Sequence, residues 1–335
     1  MEKSLTKYKD PFGSKTYCTK PFTNIFADGV SRYRLCADAG ITKEIDGMSL
    51  EDINPLDFYY SPQMDKVREK MVRGEHITGC EGCYEQESKT GWSYRQDHHR
   101  KIELYGLTEF PSTPLKPGYK TRQIGTKCNL GCYMCRAYDS STRRMELSQA
   151  NLWDMWRDLG IREYEKAKVR NIGQKRHKEL LKHLKENENK IHMFRMCGGE
   201  PLLSDRMWEM CDQVSDEYAK EMLLFITTNL TTLDYKGHSV HNLAKKFKNL
   251  QLEVSCDHYG EKLKWIRYPI DVDTFEENLY RMKPYIDCIM CTVSILNIFD
   301  LKEIEDYYMD NFGIKVNWYA LYSPSSLSIK NLPNK

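Results

Sequence analysis

Short runs rich in apolar and β-branched residues alternate with longer amphipathic segments over the last two thirds of the chain. Each short run is of strand length, and each longer segment has the spacing of a helix with one apolar side. This alternation predicts parallel βα units and an α/β fold. The predicted strands are 120–125, 191–197, 223–228, 250–256, 288–294 and 314–321, and two of the predicted helices are 148–159 and 176–190.

A segment of linker composition divides the chain. Pro111, Pro114 and Pro117 lie between Gly106 and Gly118, and clustered proline and glycine are typical of connections. The 335 residues suffice for one large and one small domain. The sequence therefore predicts a small domain over 1–105, a linker over 106–118, an α/β domain over 119–325 and a tail over 326–335.

The charge balance argues against a nucleic-acid or membrane partner. Lysine and arginine number 50 against 48 acidic residues, a net charge of +2, so no global basic surface is expected. One basic run, 95–101, lies near Trp92 and Tyr94, but a solvated helix end explains it equally well. No apolar stretch has the character of a signal peptide or a membrane span, which predicts a cytoplasmic protein.

Twelve cysteines in a long chain without a signal-peptide pattern indicate metal or redox chemistry rather than a disulfide scaffold. Cys128, Cys132 and Cys135 form a C-x3-C-x2-C triple directly after the first predicted strand. A loop this compact can place three sulfurs on three irons of one cubane, and the fourth iron then stays open for another ligand. Zinc is the alternative, but zinc sites more often use paired C-x2-C units, and no fourth ligand is evident nearby.

The triple resembles the cluster motif of the radical S-adenosylmethionine (radical SAM) superfamily, and Gly-Gly-Glu-Pro at 198–201 matches a second motif of that family one βα unit later. The resemblance implies a partial (β/α)6 barrel and a [4Fe–4S] cluster whose open iron is chelated by S-adenosylmethionine. Reductive cleavage then yields a 5′-deoxyadenosyl radical that abstracts hydrogen from a substrate. It also implies an electron donor such as flavodoxin or ferredoxin.

The same resemblance assigns residues to the cofactor. Glu200 is expected to receive the methionine amino group, while Ser255 and Arg267 are expected to hold its carboxylate. Ser255 and Asp257 share one face of the fourth predicted strand, and Cys256 points away. The complete set assigned to S-adenosylmethionine is Met134, Gly198, Gly199, Glu200, Pro201, Thr228, Asn229, Ser255, Asp257 and Arg267.

Four further cysteines lie in the predicted N-terminal domain. Asp28-Gly29 predicts a hairpin whose adjacent strands carry Cys18 and Cys36, and Cys80 and Cys83 form a C-x2-C knuckle. By ligands alone, these four thiolates suit a structural zinc. Their order resembles the twitch domain, a short relative of the SPASM domain that binds an auxiliary [4Fe–4S] cluster. In most relatives this domain follows the barrel, whereas here it would precede it.

The remaining cysteines are interpreted as core residues. Cys288 and Cys291 lie three apart on a predicted strand and so face opposite sides. The substrate rests on the resemblance alone, which favours a peptide or protein side chain. A small molecule or nucleotide is the second hypothesis, and a non-catalytic zinc-binding module is the third.

Overall fold

The structure is a computed structural model. It describes residues 10–28, 31–100, 102, 107–122, 124–137, 139–150 and 172–332. By contact density the chain forms two compact units. Unit 1 consists of residues 1–121 and 172–193, and unit 2 consists of residues 122–171 and 194–335.

Unit 1 contains three short strands. They are β1 (Asn24–Ala27), β2 (Tyr33–Arg34) and β3 (Gly118–Thr121). β1 pairs antiparallel with β2 and parallel with β3. The helices of this unit are α1 (Lys20–Thr23), α2 (Pro55–Tyr59), α3 (Pro62–Val72), α4 (Glu81–Thr90), α5 (Tyr94–Arg100) and α7 (Gln174–Glu186).

Unit 2 is built on parallel strands. Their order across the sheet is β4, β5, β8, β9, β10, and the pairs β5–β8, β8–β9 and β9–β10 are parallel. The strands from β4 onward are β4 (Met193–Met196), β5 (Leu223–Thr228), β6 (Asp234–Tyr235), β7 (His238–Ser239), β8 (Asn249–Ser255), β9 (Ile286–Val293) and β10 (Val316–Ala320). The first residue of β4, Met193, belongs to unit 1, and the rest of β4 belongs to unit 2. β6 and β7 form a separate hairpin.

Helices alternate with these strands in unit 2. They are α6 (Ser141–Gln149), α8 (Asp205–Gln213), α9 (Asp216–Glu221), α10 (Val240–Lys246), α11 (Gly260–Ile266), α12 (Val272–Met282) and α13 (Leu301–Phe312). Leu224 and Ile226 of β5 and Leu252 and Val254 of β8 are completely buried, because that face of the sheet is covered. None of the described helices combines the length and the apolar character needed to span a membrane.

The predicted α/β class with a parallel sheet is confirmed, and an observed strand overlaps each of the six predicted ones. The predicted helix 176–190 is observed as α7. Most of the predicted helix 148–159 lies outside the described residues.

The placement of two cysteines on strands was wrong. The hairpin exists, but β1 begins only at Asn24, after the helical turn α1, and β2 is two residues long. Cys18 therefore precedes α1 and Cys36 follows β2. Proline at the second position of α1, with its fixed φ, favours a helical turn there rather than an extended strand.

The segment predicted as a linker is held by buried hydroxyl groups where it is described. Tyr17 Oη donates to the Pro111 carbonyl at 2.7 Å, and Tyr59 Oη lies within hydrogen-bond distance of two carbonyl oxygens, that of Phe22 at 2.5 Å and that of Leu115 at 3.0 Å. A buried tyrosine hydroxyl needs an acceptor, and these carbonyls supply it. Residues 111–115 are therefore part of the packing of unit 1.

Candidate functional site

The triple-cysteine loop of unit 2 is fixed to the start of α6. Ser140 caps this helix, and its hydroxyl also donates to the Leu130 carbonyl at 2.9 Å. The Cys128 N–H donates to Ser141 Oγ at 3.1 Å. The N-terminus of α6 thus holds the first three residues of the loop and limits their freedom.

The same loop is joined by its backbone to the segment that follows α11. The Gly131 N–H donates to the Tyr268 carbonyl at 2.7 Å, and the Tyr133 N–H donates to the Ile266 carbonyl at 3.0 Å. Cys132 lies between the two donating residues of the loop, and Arg267 lies between the two accepting residues. As a result Arg267 Nη1 lies 3.9 Å from Cys132 Sγ.

The three thiols share one electrostatic environment. Burial raises the pKa of Cys132 to about 12, an effect that Arg267 opposes and Cys128 adds to. Burial also raises the pKa of Cys135 well above its usual range, and the other two thiols contribute. A buried group of thiols becomes thiolates when bound cations balance the charge, as iron does.

Hydrogen-bond donors face the Cys128 sulfur. The Leu130 N–H lies 3.5 Å from Cys128 Sγ, and Asn229 Nδ2 lies 4.0 Å from it. Asn229 Nδ2 also donates to Asn129 Oδ1 at 3.0 Å. Donors of this kind stabilise a thiolate ligand, so the donor set suits an iron–sulfur cluster.

Glu200 connects the ends of β4 and β5. Its buried carboxylate accepts from the Leu202 N–H at 3.0 Å, from Thr228 Oγ1 at 2.7 Å and from the Asn229 N–H at 2.6 Å. Burial raises the pKa of Glu200, and these bonds act in the opposite direction. A carboxylate has about four acceptor positions, so about one is left for a further donor.

Gly198 and Gly199 pack directly on the backbone before the cysteine loop. Their φ angles are +110° and +45°, in the region that favours glycine. A Cβ on Gly199 would lie 2.4 Å from the Lys127 carbonyl oxygen. The Glu200 N–H donates to that same carbonyl at 2.7 Å, so the two motifs are in contact through their backbones.

We expect Gly199→Ala to destabilise this contact far more than Gly237→Ala does. Gly237 also has positive φ, +87°, but a Cβ there meets nothing within 4 Å. Its replacement should therefore cost only the strain of a left-handed residue, about 1–2 kcal/mol, whereas Gly199→Ala must also move the loop. Urea unfolding of the two variants and the iron that each retains measure the difference. Equal losses would contradict the close approach.

Arg267 forms a buried ion pair with Asp257. Arg267 Nη2 lies 2.6 Å from Asp257 Oδ2, and both side chains are almost fully buried. Asp257 Oδ1 accepts from the Thr292 N–H at 2.7 Å, and Asn297 Nδ2 donates to the Asp257 carbonyl at 3.0 Å. Arg267 Nε is buried and has no hydrogen-bond acceptor among the described residues. A buried donor without an acceptor is rare and indicates a missing partner.

The structure brings most, but not all, of the predicted cofactor residues together. Contacts join Glu200 to Thr228 and Asn229, and Arg267 to Asp257 and Cys132. Ser255 is half-buried at the end of β8, and its hydroxyl bonds no described residue. Met134 is buried within the cysteine loop, and Pro201 begins a short 3-10 helix.

A cluster of polar side chains on β4, β5 and β8 was not predicted from the sequence. Arg195 of β4 lies 2.6 Å from Glu253 Oε1 of β8, and Thr227 of β5 donates to Glu253 Oε2 at 2.9 Å. Glu253 is 5% exposed. A glutamate between Leu252 and Val254 in an apolar run was the available signal, because a buried carboxylate needs a cation or donors. It shares a strand face with Ser255.

The four cysteines of unit 1 line one pocket. Cys18, Cys36, Cys80 and Cys83 all border it, together with Lys20 and Tyr84 among others. Burial raises the pKa of Cys18 to about 12 and that of Cys36 to about 11, and neighbouring Cys36 and Cys83 add to the effect on Cys18. The pocket therefore concentrates thiols that a bound metal group would have to ionise.

Within the described ranges, no three Cys, His, Asp or Glu side chains converge closely enough to ligate a single metal ion. The four cysteines of unit 1 are therefore grouped by the pocket that they share and by the effect that neighbouring thiols have on the pKa of Cys18.

The profile of the radical SAM superfamily matches residues 123–308, which is more than half of the chain. The chain belongs to the radical SAM superfamily. The match includes the cysteine triple, the 198–201 motif and Arg267, so the predicted membership is confirmed. Membership implies a [4Fe–4S] cluster and S-adenosylmethionine as cofactors of this radical SAM enzyme.

Several solved structures are similar to this chain at low sequence identity. One is native anSMEcpe with bound AdoMet, at 18% identity and a TM-score of 0.43, covering 61% of this chain and 51% of that chain. Another is Streptococcus suis SuiB bound to S-adenosylmethionine, at 14% identity and a TM-score of 0.42, and the match covers 82% of this chain and 55% of that chain. The structure of SuiB bound to precursor peptide SuiA matches at 15% identity and a TM-score of 0.41, and the match covers 71% of this chain and 45% of that chain. The chain spans about half the length of these proteins. No curated protein sequence matches it.

Proposed function

We propose that this radical SAM enzyme reductively cleaves S-adenosylmethionine and uses the resulting 5′-deoxyadenosyl radical to abstract hydrogen from a substrate. One observation carries the proposal. The segment 127–135, which carries Cys128, Cys132 and Cys135, contacts each of the three segments that bear the other motifs, at 198–201, 228–229 and 266–268. Three thiolates hold three irons of a cubane, which leaves one iron open.

The residues around the loop have separate roles in this proposal. Glu200 offers its remaining acceptor position to the methionine ammonium, while its other three bonds fix the ends of β4 and β5. Arg267 Nε offers a donor to the carboxylate, while Asp257 keeps the guanidinium in place. Met134, Gly198, Gly199, Pro201, Thr228, Asn229 and Ser255 complete the proposed cofactor site. When bound, the cofactor supplies the carbon radical.

We propose a second, auxiliary [4Fe–4S] cluster on Cys18, Cys36, Cys80 and Cys83. Four thiolates saturate a cubane, so this site would transfer electrons or shape a pocket without binding S-adenosylmethionine. The shared pocket supports this assignment. With it come the finer architectural proposals, a twitch-like unit at the N-terminal side and a partial (β/α)6 barrel over 119–325. Structural zinc on the same four cysteines is the competing proposal.

We propose a peptide or protein side chain as the substrate. The structure titles name a Cp18Cys peptide bound to anSMEcpe and the precursor peptide SuiA bound to SuiB, and these are properties of those proteins. The same radical chemistry on a small molecule or nucleotide remains the second proposal. Flavodoxin or ferredoxin is the proposed electron donor, and the cytoplasm is the proposed compartment.

The function is tested with protein purified and reconstituted anaerobically. Reduced protein should give the electron paramagnetic resonance (EPR) signal of a [4Fe–4S] cluster, and S-adenosylmethionine should change that signal because it binds the open iron. Excess dithionite should then produce 5′-deoxyadenosine. A colourless, zinc-loaded protein that leaves S-adenosylmethionine intact would instead favour a zinc-binding module.

We expect Arg267→Lys to weaken S-adenosylmethionine binding by about 1–3 kcal/mol, the range for a hydrogen bond to a charged group. Lysine keeps the positive charge beside Asp257, so the fold should survive, but it lacks the guanidinium fork and its Nε donor. Arg281→Lys, on the exposed side of α12, is the matched control and should bind normally. Equilibrium binding to the reconstituted protein measures both. Equal affinities would assign Arg267 to the fold alone.

A further inference from the structure

The turn that follows β5 contains a residue in an unfavourable conformation. Leu230 has φ +53°, in the left-handed region that leucine rarely adopts. Its side chain is completely buried, so glycine, which adopts this conformation without strain, would lose the packing of a leucine side chain. Strain of this kind persists only where the surrounding structure fixes it, and it is frequent at functional sites. The groups that fix Leu230 therefore indicate what the turn does.

The backbone of Leu230 is held at both of its polar groups. Its N–H donates to Thr228 Oγ1 at 2.9 Å, and its carbonyl accepts from Asn278 Nδ2 at 2.9 Å. Thr228 is the last residue of β5, whereas Asn278 lies on α12. The bond from Asn278 therefore fixes the turn to a separate helix of unit 2.

Asn278 is an exception on its helix. It is 5% exposed, and the other buried residues of α12 are all apolar: Val272, Phe275, Leu279 and Met282. Burial of an amide group costs free energy unless the amide is hydrogen-bonded, so a helix that served packing alone would carry an apolar residue at this position. A strained leucine and a buried asparagine thus meet in one hydrogen bond.

The conformation of Leu230 places its neighbours in the chain. Positive φ at this residue turns the backbone, and the Thr231 N–H donates to Asn229 Oδ1 at 3.1 Å. The Asn229 N–H and the Thr228 hydroxyl both donate to the Glu200 carboxylate, at 2.6 Å and 2.7 Å. The turn therefore supplies two of the three hydrogen bonds that orient Glu200.

We propose that Asn278 is a positioning residue of the S-adenosylmethionine site: by holding the Leu230 carbonyl, it keeps the 228–231 turn in the conformation that orients Glu200. The inference rests on the proposed function. Without the Asn278 amide, the Leu230 carbonyl loses its donor and the leucine can relax towards negative φ. The turn would then withdraw its donors from Glu200, and the remaining acceptor position of that carboxylate would no longer be directed at the methionine ammonium.

Asn278→Ala tests the inference in reconstituted protein. Alanine is the most favourable residue in a helix, so α12 should persist and the iron content should stay unchanged. The EPR change caused by S-adenosylmethionine should require about tenfold more cofactor, the lower end of the range for residues that orient a metal site without ligating it. Asn249→Ala is the matched control, because Asn249 Nδ2 also donates to backbone carbonyls, those of Lys220 and Glu221, at the start of β8. It should bind the cofactor normally.

Hydrogen exchange of the protein without cofactor measures the turn directly. The N–H groups of Asn229, Leu230 and Thr231 all donate hydrogen bonds, so a peptide that covers them should be protected in the wild type and in Asn249→Ala. That protection should be lost in Asn278→Ala. Normal protection there would overturn the inference, and so would a loss spread evenly over unit 2, because it would assign Asn278 to stability alone.

A second measurement needs no variant and applies if Asn278→Ala does not fold. A crystal structure of the wild type with its cluster and S-adenosylmethionine should show Leu230 at positive φ, Asn278 Nδ2 on its carbonyl and Glu200 at the methionine ammonium. Leu230 at negative φ, or an Asn278 amide turned away from it, would overturn the inference. Wild-type protein that holds iron but does not bind S-adenosylmethionine would instead overturn the proposed function, whereas a loss confined to Asn278→Ala concerns the positioning role.

Discussion

Replacement of Cys128, Cys132 and Cys135 by alanine should abolish formation of 5′-deoxyadenosine. The three sulfurs are the only proposed ligands of the cluster that reduces S-adenosylmethionine, and without them no iron is held at the open position. Anaerobic assays with dithionite, analysed by chromatography, measure the loss. The signal of the S-adenosylmethionine-responsive cluster should disappear in the same preparation.

The control for this variant is Cys211→Ala. Cys211 is fully buried in α8, where it contacts Met207, so its loss leaves a small cavity but removes no proposed ligand. We expect that variant to keep its iron and its cleavage activity. Unchanged turnover in the triple variant would contradict the assignment of the loop.

The sequence predicted the chemistry of the site better than its geometry. Cys128, Cys132 and Cys135 are close in the chain, so their spacing alone indicated a shared cluster. The pairing of 131–133 with 266–268, which brings Arg267 beside Cys132, is a contact between distant segments. Only the packing of α11 against the loop determines it.

The internal bonds of the motif residues were also beyond sequence reasoning. Glu200 was assigned to the cofactor, yet most of its acceptor positions serve Leu202, Thr228 and Asn229. Parallel strands place their carboxyl ends at one edge of the sheet, which explains why the ends of β4 and β5 meet. Which donors each carboxylate then takes depends on side-chain packing.

In unit 1 the sequence predicted the hairpin but not the positions of two cysteines relative to its strands. The hairpin was correctly expected, but neither cysteine lies on its strands. A helical turn with proline at its second position occupies 20–23 and separates Cys18 from β1, and β2 ends at Arg34, before Cys36. The four cysteines nevertheless border one pocket. The turns around the hairpin, rather than its strands, therefore deliver the two cysteines to the site.

Conversion of both Cys80 and Cys83 to alanine should remove about half of the iron, four of about eight atoms if both sites hold [4Fe–4S] clusters. Alanine is compatible with the start of α4, where neither cysteine is fully buried, so unit 1 should remain folded. All hydrogen bonds described for the Cys128 loop are formed within unit 2. Formation of 5′-deoxyadenosine without substrate should therefore survive, while turnover of the true substrate falls.

The matched control removes a second pair of cysteines with the same spacing. Cys288 and Cys291 lie on β9, are fully buried and face opposite sides of the strand. Their replacement by alanine should leave the iron content unchanged, and it should cost packing energy and the hydrogen bond from Asn297 Nδ2 to Cys291 Sγ at 3.5 Å. If unit 1 instead holds structural zinc, the Cys80/Cys83 variant should lose one zinc and no iron, and its unit 1 should be less stable. Metal analysis of the wild type and both variants, prepared side by side without oxygen, distinguishes these results, and zinc with only four irons in the wild type would rule out an auxiliary cluster.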